Sequence, residues 1–90
     1  MPDKTYMFYV YVLLSTINKD IYIGFTEDLK NRFLLHNEGK VKSTKAYKPW
    51  ILVYYEAYKS KKDVTKREKE LKLHKAKDFL LAHLQYSLKI

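Results

Sequence analysis

The chain has 90 residues, 47% of them apolar, and a net charge of +8 from 18 basic and 10 acidic side chains. That length holds one core, so one domain over 1–90 is expected, and the apolar share excludes a disordered chain. There is no cysteine, which excludes a disulfide framework, a thiolate metal site and a cysteine nucleophile, and suits a reducing cytoplasm.

The chain opens on MPDKTYMFYVYVLL. Its apolar run, from Met7 to Leu14, is followed by polar residues and falls short of the ~20 that a membrane helix needs, so neither a signal peptide nor a membrane partner is expected. The charge excess points to a polyanion, nucleic acid first. FYVYVLLS, Phe8–Ser15, is rich in β-branched and aromatic residues and reads as a strand. Asn18 and Asp20 carry turn chemistry, and IYIGF over 21–25 reads as a second strand, giving a hairpin. Gly24 within that strand marks a close approach by another group or a bulge. Thr26 is the expected N-cap of a helix over 27–38, with Glu27 and Asp28 in its first turn and Gly39 as its stop.

A basic loop follows, then WILVYYEAY, Trp50–Tyr58, apolar throughout and expected at the centre of the sheet. Ser60 with Asp63 has capping-box spacing and opens a helix to about Leu73. A last helix is expected over 76–88, with Phe79, Leu80, His83 and Leu84 on one face. The order β-β-α-β-α-α implies an α+β fold, a small three-stranded antiparallel sheet flanked by helices.

Several polar residues stand on faces that ought to be apolar. Leu29, Arg32, Phe33 and His36 form one helical stripe, so Arg32 and His36 are carried to the edge of the core. Glu68 is bracketed by Val64 and Leu71 on its own stripe, where a carboxylate loses hydration and needs a cation or strong donors. Tyr9 and Tyr11 share one face of the first strand; Tyr22 and Gly24 share one face of the second. If the hairpin pairs odd with even positions, Tyr11 and Tyr22 point to the same side. Each feature also has a plain reading. Tyrosine is a common strand residue, Arg32 can snorkel, His36 can be a satisfied boundary histidine, and Glu68 can pair with Lys72 or Lys61.

Taken together, these residues resemble the GIY-YIG nuclease superfamily, above all its small stand-alone bacterial members, relatives of the catalytic domain found at the N-terminus of an excinuclease. The tripeptides stand here as YVY at 9–11 and YIG at 22–24, and the pattern continues through GFTEDLKNRFLLHNEGK, PWILVYYEAY and KREKELK. The resemblance implies divalent-metal-dependent hydrolysis of phosphodiester bonds in DNA or RNA. Position by position it gives Tyr11, Tyr22, Arg32 and His36 as catalytic residues and Glu68 as the metal ligand. One hydrated Mg²⁺ or Mn²⁺ suits a single carboxylate better than a two-metal site does. Lys40, Lys42, Lys45 and Lys48 of the basic loop, with Lys66, Lys69 and Lys72, are expected to grip flanking phosphates without sequence choice. Tyr47 and Trp50 are candidates for base stacking, although Trp50, at the head of a strand, is expected rather to pack in the core.

The chain departs from the family pattern at Tyr9, where the name-giving Gly stands, and at Phe25. Its asparagines, Asn18, Asn31 and Asn37, all precede Glu68, whereas many members carry one after the glutamate. Two further readings stay open: a non-catalytic nucleic-acid-binding module, and a protein-interaction domain whose basic face meets an acidic partner. No specificity module is visible, which points to low selectivity or a targeting partner protein.

Overall fold

The computed structural model describes residues 6–89; residues 1–5, part of the stretch weighed as a signal peptide, and residue 90 lie outside the described residues. The elements run β1 (Phe8–Ser15), β2 (Ile21–Thr26), α1 (Leu29–Asn37), β3 (Trp50–Tyr58), α2 (Lys61–Leu71) and α3 (His74–His83). The three strands form one antiparallel sheet in the order β2-β1-β3. The α+β architecture and element order are as the sequence implies. The centre of the sheet is not, because β1 rather than β3 occupies it. The reason lies in the two faces of each strand. Residues 10–14 of β1 are apolar in both directions and at most 2% exposed, whereas β3 carries Glu56 and an exposed Tyr55 and suits an edge.

The two faces of β1 serve two layers. Val10 and Val12 pack with Ile23, with Val64 and Leu71 of α2, with Leu80 of α3 and with Leu84 just past its end. Tyr11 and Leu13 pack with Trp50, Tyr22, and Leu29 and Phe33 of α1. Helices therefore cover both faces, α1 on the odd-numbered side of β1 and the α2–α3 pair on the even-numbered side. In β3 the pairing slips between Val12 and Leu13, so Val53 is an extra residue. This bulge lets Trp50 and Leu52 share a face with Tyr55.

Helix ends account for most boundary differences. Asp28, not Thr26, caps α1, and its side chain accepts from Asn31 N; Glu27 and Asp28 therefore precede the first turn. Thr26 Oγ1 instead accepts from Asp28 N, at 3.1 Å, and orders the approach. At the other end Gly39, at φ +77°, closes α1 as expected, with Gly39 N donating to His36 O and Lys40 N to Leu35 O. Ser60 caps α2 by accepting from Lys62 N. The helix stops at Leu71, and α3 begins two residues before the expected start and ends five short. Leu80 and Leu84 set the buried phase of α3, leaving Phe79 80% exposed and His83 exposed.

One polar cluster bolts α2 to β3. Glu56 accepts from Tyr54 Oη and Tyr58 Oη, from Arg67 Nε at 2.9 Å and from Arg67 Nη2 at 3.1 Å. Burial alone pushes the Glu56 carboxyl up, but the hydrogen bonds from Arg67, Tyr54 and Tyr58 outweigh it and hold the group below its ordinary 4.5. A depressed folded-state value contributes stability at neutral pH, which is lost as pH falls through that value. Glu56→Ala is expected to lower stability by about 2 kcal/mol in urea unfolding and to remove part of the loss seen below about pH 4.5.

Candidate active site

The hairpin register pairs Tyr11 with Gly24 and Leu13 with Tyr22, odd with even. Tyr11 and Tyr22 therefore lie on the face that α1 covers, their rings 6.2 Å apart. Tyr11 is 1% exposed, and its ring reaches across β2 over Gly24. A Cβ at residue 24 would stand 2.7 Å from Tyr11 Oη and 3.0 Å from Tyr22 Cε2. The glycine is thus needed for close approach, one of the two roles its place in a strand suggests; the bulge falls in β3 instead.

The phenol ends on His36. Tyr11 Oη lies 2.7 Å from His36 Nε2, and His36 Nδ1 lies 2.7 Å from Thr44 Oγ1. The Thr44 hydroxyl is directed at Val41 O, 3.4 Å away, which leaves it to accept from Nδ1–H. With the tautomer assigned in this way from the hydrogen-bond network, Nε2 is the bare nitrogen and Tyr11 donates to it. His36 is 0% exposed, deeper than the edge position its stripe suggests. Burial, and secondarily the Arg32 guanidinium, push its pKa down to about 4, so the ring is neutral at pH 7. The Tyr22 ring stacks obliquely against it at 4.9 Å.

Loop and strand hold this assembly in place. Trp50 Nε1 donates to Thr44 O, and Asn37 bonds both Trp50 N and Trp50 O, tying the end of α1 to the start of β3. Trp50 is 4% exposed and belongs to the core, while Tyr47 remains 43% exposed. Thr44 is missed by sequence reasoning. It sits in an aperiodic loop among lysines, and its only signal is a hydroxyl eight residues after the histidine.

Charge reaches Tyr11 from both layers. Its pKa rises to about 12, first through burial; the Arg32 guanidinium beside it pulls the value down, while Tyr22 and the Glu68 carboxylate push it up. Arg32 is half-buried on α1, one turn before His36. Glu68 comes from α2 in the other layer, its side chain 17% exposed, and Lys72 Nζ lies 3.0 Å from its Oε2. Because β2 is an edge strand, α2 and α3 meet its rim. Ile21, Tyr22, Ile23, Lys72 and Lys77 line a cleft there of about 220 Å³. Lys77 is a second residue the sequence did not single out.

The remaining lysines are scattered. Lys40, Lys42, Lys45, Lys48, Lys66 and Lys69 are all exposed. Lys40 lies 3.6 Å from Glu38, and Lys66 shares a cleft with Tyr58, Asp63, Arg67 and Glu70, apart from Tyr11 and Tyr22. A larger cleft of about 560 Å³ lies between α1 and β3, lined by Tyr9, Phe33, Leu52, Tyr55, Glu27 and Asp28 among others. It contains none of the converging polar groups, and volume alone does no chemistry, so Tyr11 rather than this cleft marks the candidate site.

The GIY-YIG catalytic domain family matches residues 7–80. The chain belongs to the GIY-YIG family. That family comprises nuclease-type domains acting on nucleic acid and generally using divalent metal. A UPF0213 protein of Streptococcus pyogenes serotype M3 is 39% identical over 77 residues, covering 84% of this chain and 83% of its own length. A UPF0213 protein of Staphylococcus haemolyticus is 40% identical over 65 residues, covering 71% and 78%. The solution structure of a UPF0213 protein from Bacillus halodurans superposes with a TM-score of 0.56 at 32% identity, covering 91% of this chain and 92% of the other. Among the described residues no helix is long and apolar enough to cross a membrane.

The donor set can be compared with the family's metal. Among the described residues no three His, Cys, Asp or Glu side chains converge. The site offers one partly dehydrated carboxylate, Glu68, on which a cationic group already rests. One carboxylate, with water and phosphate as further ligands, fits a hydrated Mg²⁺ or Mn²⁺ and does not fit a pair of ions.

Gly24→Ala should break the Tyr11–His36 contact and cost about 1–3 kcal/mol, read by denaturant unfolding and by loss of the buried imidazole's NMR signature. A second expectation concerns acid. His36 binds its proton near 4 when folded and near the ordinary 6.5 when unfolded. Between those values only the unfolded chain takes up the proton, so stability falls as pH drops from 6.5 towards 4, by up to about 1.4 kcal/mol per pH unit. His36→Gln should flatten that slope in pH-dependent unfolding.

Proposed function

We infer that the protein is an endonuclease that hydrolyses phosphodiester bonds in DNA or RNA with one divalent ion, Mg²⁺ or Mn²⁺. The observation that carries this reading is the buried Tyr11 phenol, hydrogen-bonded to a neutral imidazole while an arginine of one layer and a carboxylate of the other both act on it.

Hydrolysis needs a water stripped of its proton and charge stabilisation at the phosphoryl oxygens. Arg32 holds the scissile phosphate, its planar fork matching the oxygens. Glu68 would hold the ion, which when bound supplies positive charge to the phosphate and the leaving oxygen. A free phenol is only about 0.1% ionised at pH 7, and Tyr11 is held further still from ionisation, so it does not act as a standing base. Its role is to pass a proton. It orients the water, accepts its proton and gives its own to His36 Nε2, a bond already formed at 2.7 Å. Thr44 keeps that nitrogen bare. Arg32 lowers the affinity of His36 for a proton. Burial is the larger cause of that low affinity, and a phosphate on Arg32 would offset only the smaller, charge-based part of it. Tyr22 walls the site and contacts both rings.

The exposed Lys40, Lys42, Lys45, Lys48 and Lys69, with Lys72, supply sequence-independent contacts along the strand. Their scatter over the surface agrees with weak sequence choice, or with a separate targeting protein. The absence of cysteine suits a reducing cytoplasm.

The test is a cleavage panel of labelled single- and double-stranded DNA and RNA with Mg²⁺ or Mn²⁺. Glu68→Gln and Arg32→Ala should each lower the rate by about 100-fold or more, with circular dichroism spectra unchanged. Undiminished cleavage in both variants overturns the assignment. Salt-sensitive binding by the wild-type protein with no cleavage on any substrate would instead identify a non-catalytic binding module.

A further inference from the structure

Lys72 has two destinations within reach of one side chain. Its ammonium lies on Glu68, 3.0 Å from Oε2, and the same residue lines the cleft at the rim of β2 with Lys77 and Tyr22. We propose that Lys72 is a tethered counter-ion that neutralises Glu68 in the free protein and passes to a nucleic-acid phosphate at the Lys77 cleft when a divalent ion takes the carboxylate. This rests on the reading of Glu68 as the metal ligand.

The pair differs from an ordinary surface pair in where it lies. Lys40 and Glu38 are 67% and 53% exposed, and such a contact does little. Glu68 is only 17% exposed and bears on the Tyr11 phenol, whereas Lys72 is 52% exposed on a flexible four-carbon stem. A carboxylate short of water needs a cation in the free state, and Lys72, one helical turn on in the favourable Glu-to-Lys order, supplies it. At equal distance a dication would attract the same carboxylate about twice as strongly as the ammonium does, and so would compete with Lys72 for it.

The released ammonium then shares the cleft with Lys77. Two positive groups at a cleft of about 220 Å³, with no acid among its lining residues, fit one phosphate of a nucleic-acid backbone. Tyr22 belongs both to that cleft and to the ring cluster around His36, so the bound phosphate neighbours the reacting centre. With Lys72 on Glu68, the carboxylate and half of the phosphate grip are both occupied. Filling either one frees the other. The two ligands must therefore strengthen each other's binding by the same factor.

The measurement is Mn²⁺ binding to the free protein, followed by calorimetry and by the paramagnetic resonance of the ion, for wild type, Lys72→Met and Glu68→Gln. Lys72→Met should bind Mn²⁺ about three- to tenfold more tightly than wild type, and Glu68→Gln should lose the site. In parallel, a hydrolysis-resistant phosphorothioate oligonucleotide is titrated with and without Mn²⁺. Its affinity should rise with the ion in wild type and rise less steeply in Lys72→Met, where only the direct contact between ion and phosphate remains. An Mn²⁺ affinity in Lys72→Met within about twofold of wild type, while Glu68→Gln abolishes binding, overturns the role of Lys72 and leaves Glu68 as the ligand. Unaltered Mn²⁺ binding in Glu68→Gln overturns both.

Discussion

The site depends on one buried hydrogen bond, from the Tyr11 phenol to His36. Everything near it follows from the cost of burying two polar groups without partners. The phenol must cross its neighbouring strand, so that strand carries glycine where the ring passes. The imidazole must present a bare nitrogen, so its other nitrogen meets a hydroxyl already committed to a carbonyl. That hydroxyl lies in a loop, so the loop is pinned to the core by Trp50 and, through Asn37, to the end of α1. No buried side-chain nitrogen or oxygen is left without a partner among the described residues.

The sheet also separates the cationic and anionic halves of the site. Arg32 and His36 belong to the layer above β1, Glu68 to the layer below. They can act on one phenol because β2 is a narrow edge strand. A wider sheet would interpose another strand between Tyr22 and α2. Glu68 is then held in reach by Val64 and Leu71, both 0% exposed, which fix the rotation of α2. The Glu56–Arg67 cluster ties the same helix to β3 at the opposite edge.

Much of this was legible in the sequence. The strand alternation placed Tyr11 and Tyr22 together once the parity of the hairpin was known, and helical spacing set Arg32 and His36 on one stripe. The oddity of Glu68 between two apolar residues was visible as well. Thr44 was not, because a loop residue that completes a hydrogen-bond chain leaves no periodic trace. Sheet order was hidden because β1 and β3 are both apolar, and only the placement of helices on both faces decides which is sandwiched. The start of α1 was blurred because Thr26 and Asp28 are both cap formers, and the chain uses one to order the other. Lys77 was lost among 18 basic residues.

The position of β1 at the centre has a consequence for how the protein is made. The hairpin of β1 and β2 is local and is the first structure the growing chain can close, but β1 gains its second neighbour only when residues 50–58 arrive. Glu68 emerges later than the tyrosines, Arg32 and His36. A nascent chain released at intermediate length would hold Tyr11, Tyr22, Arg32 and His36 without Glu68. Synthesis from the amino terminus thus supplies the acidic element last.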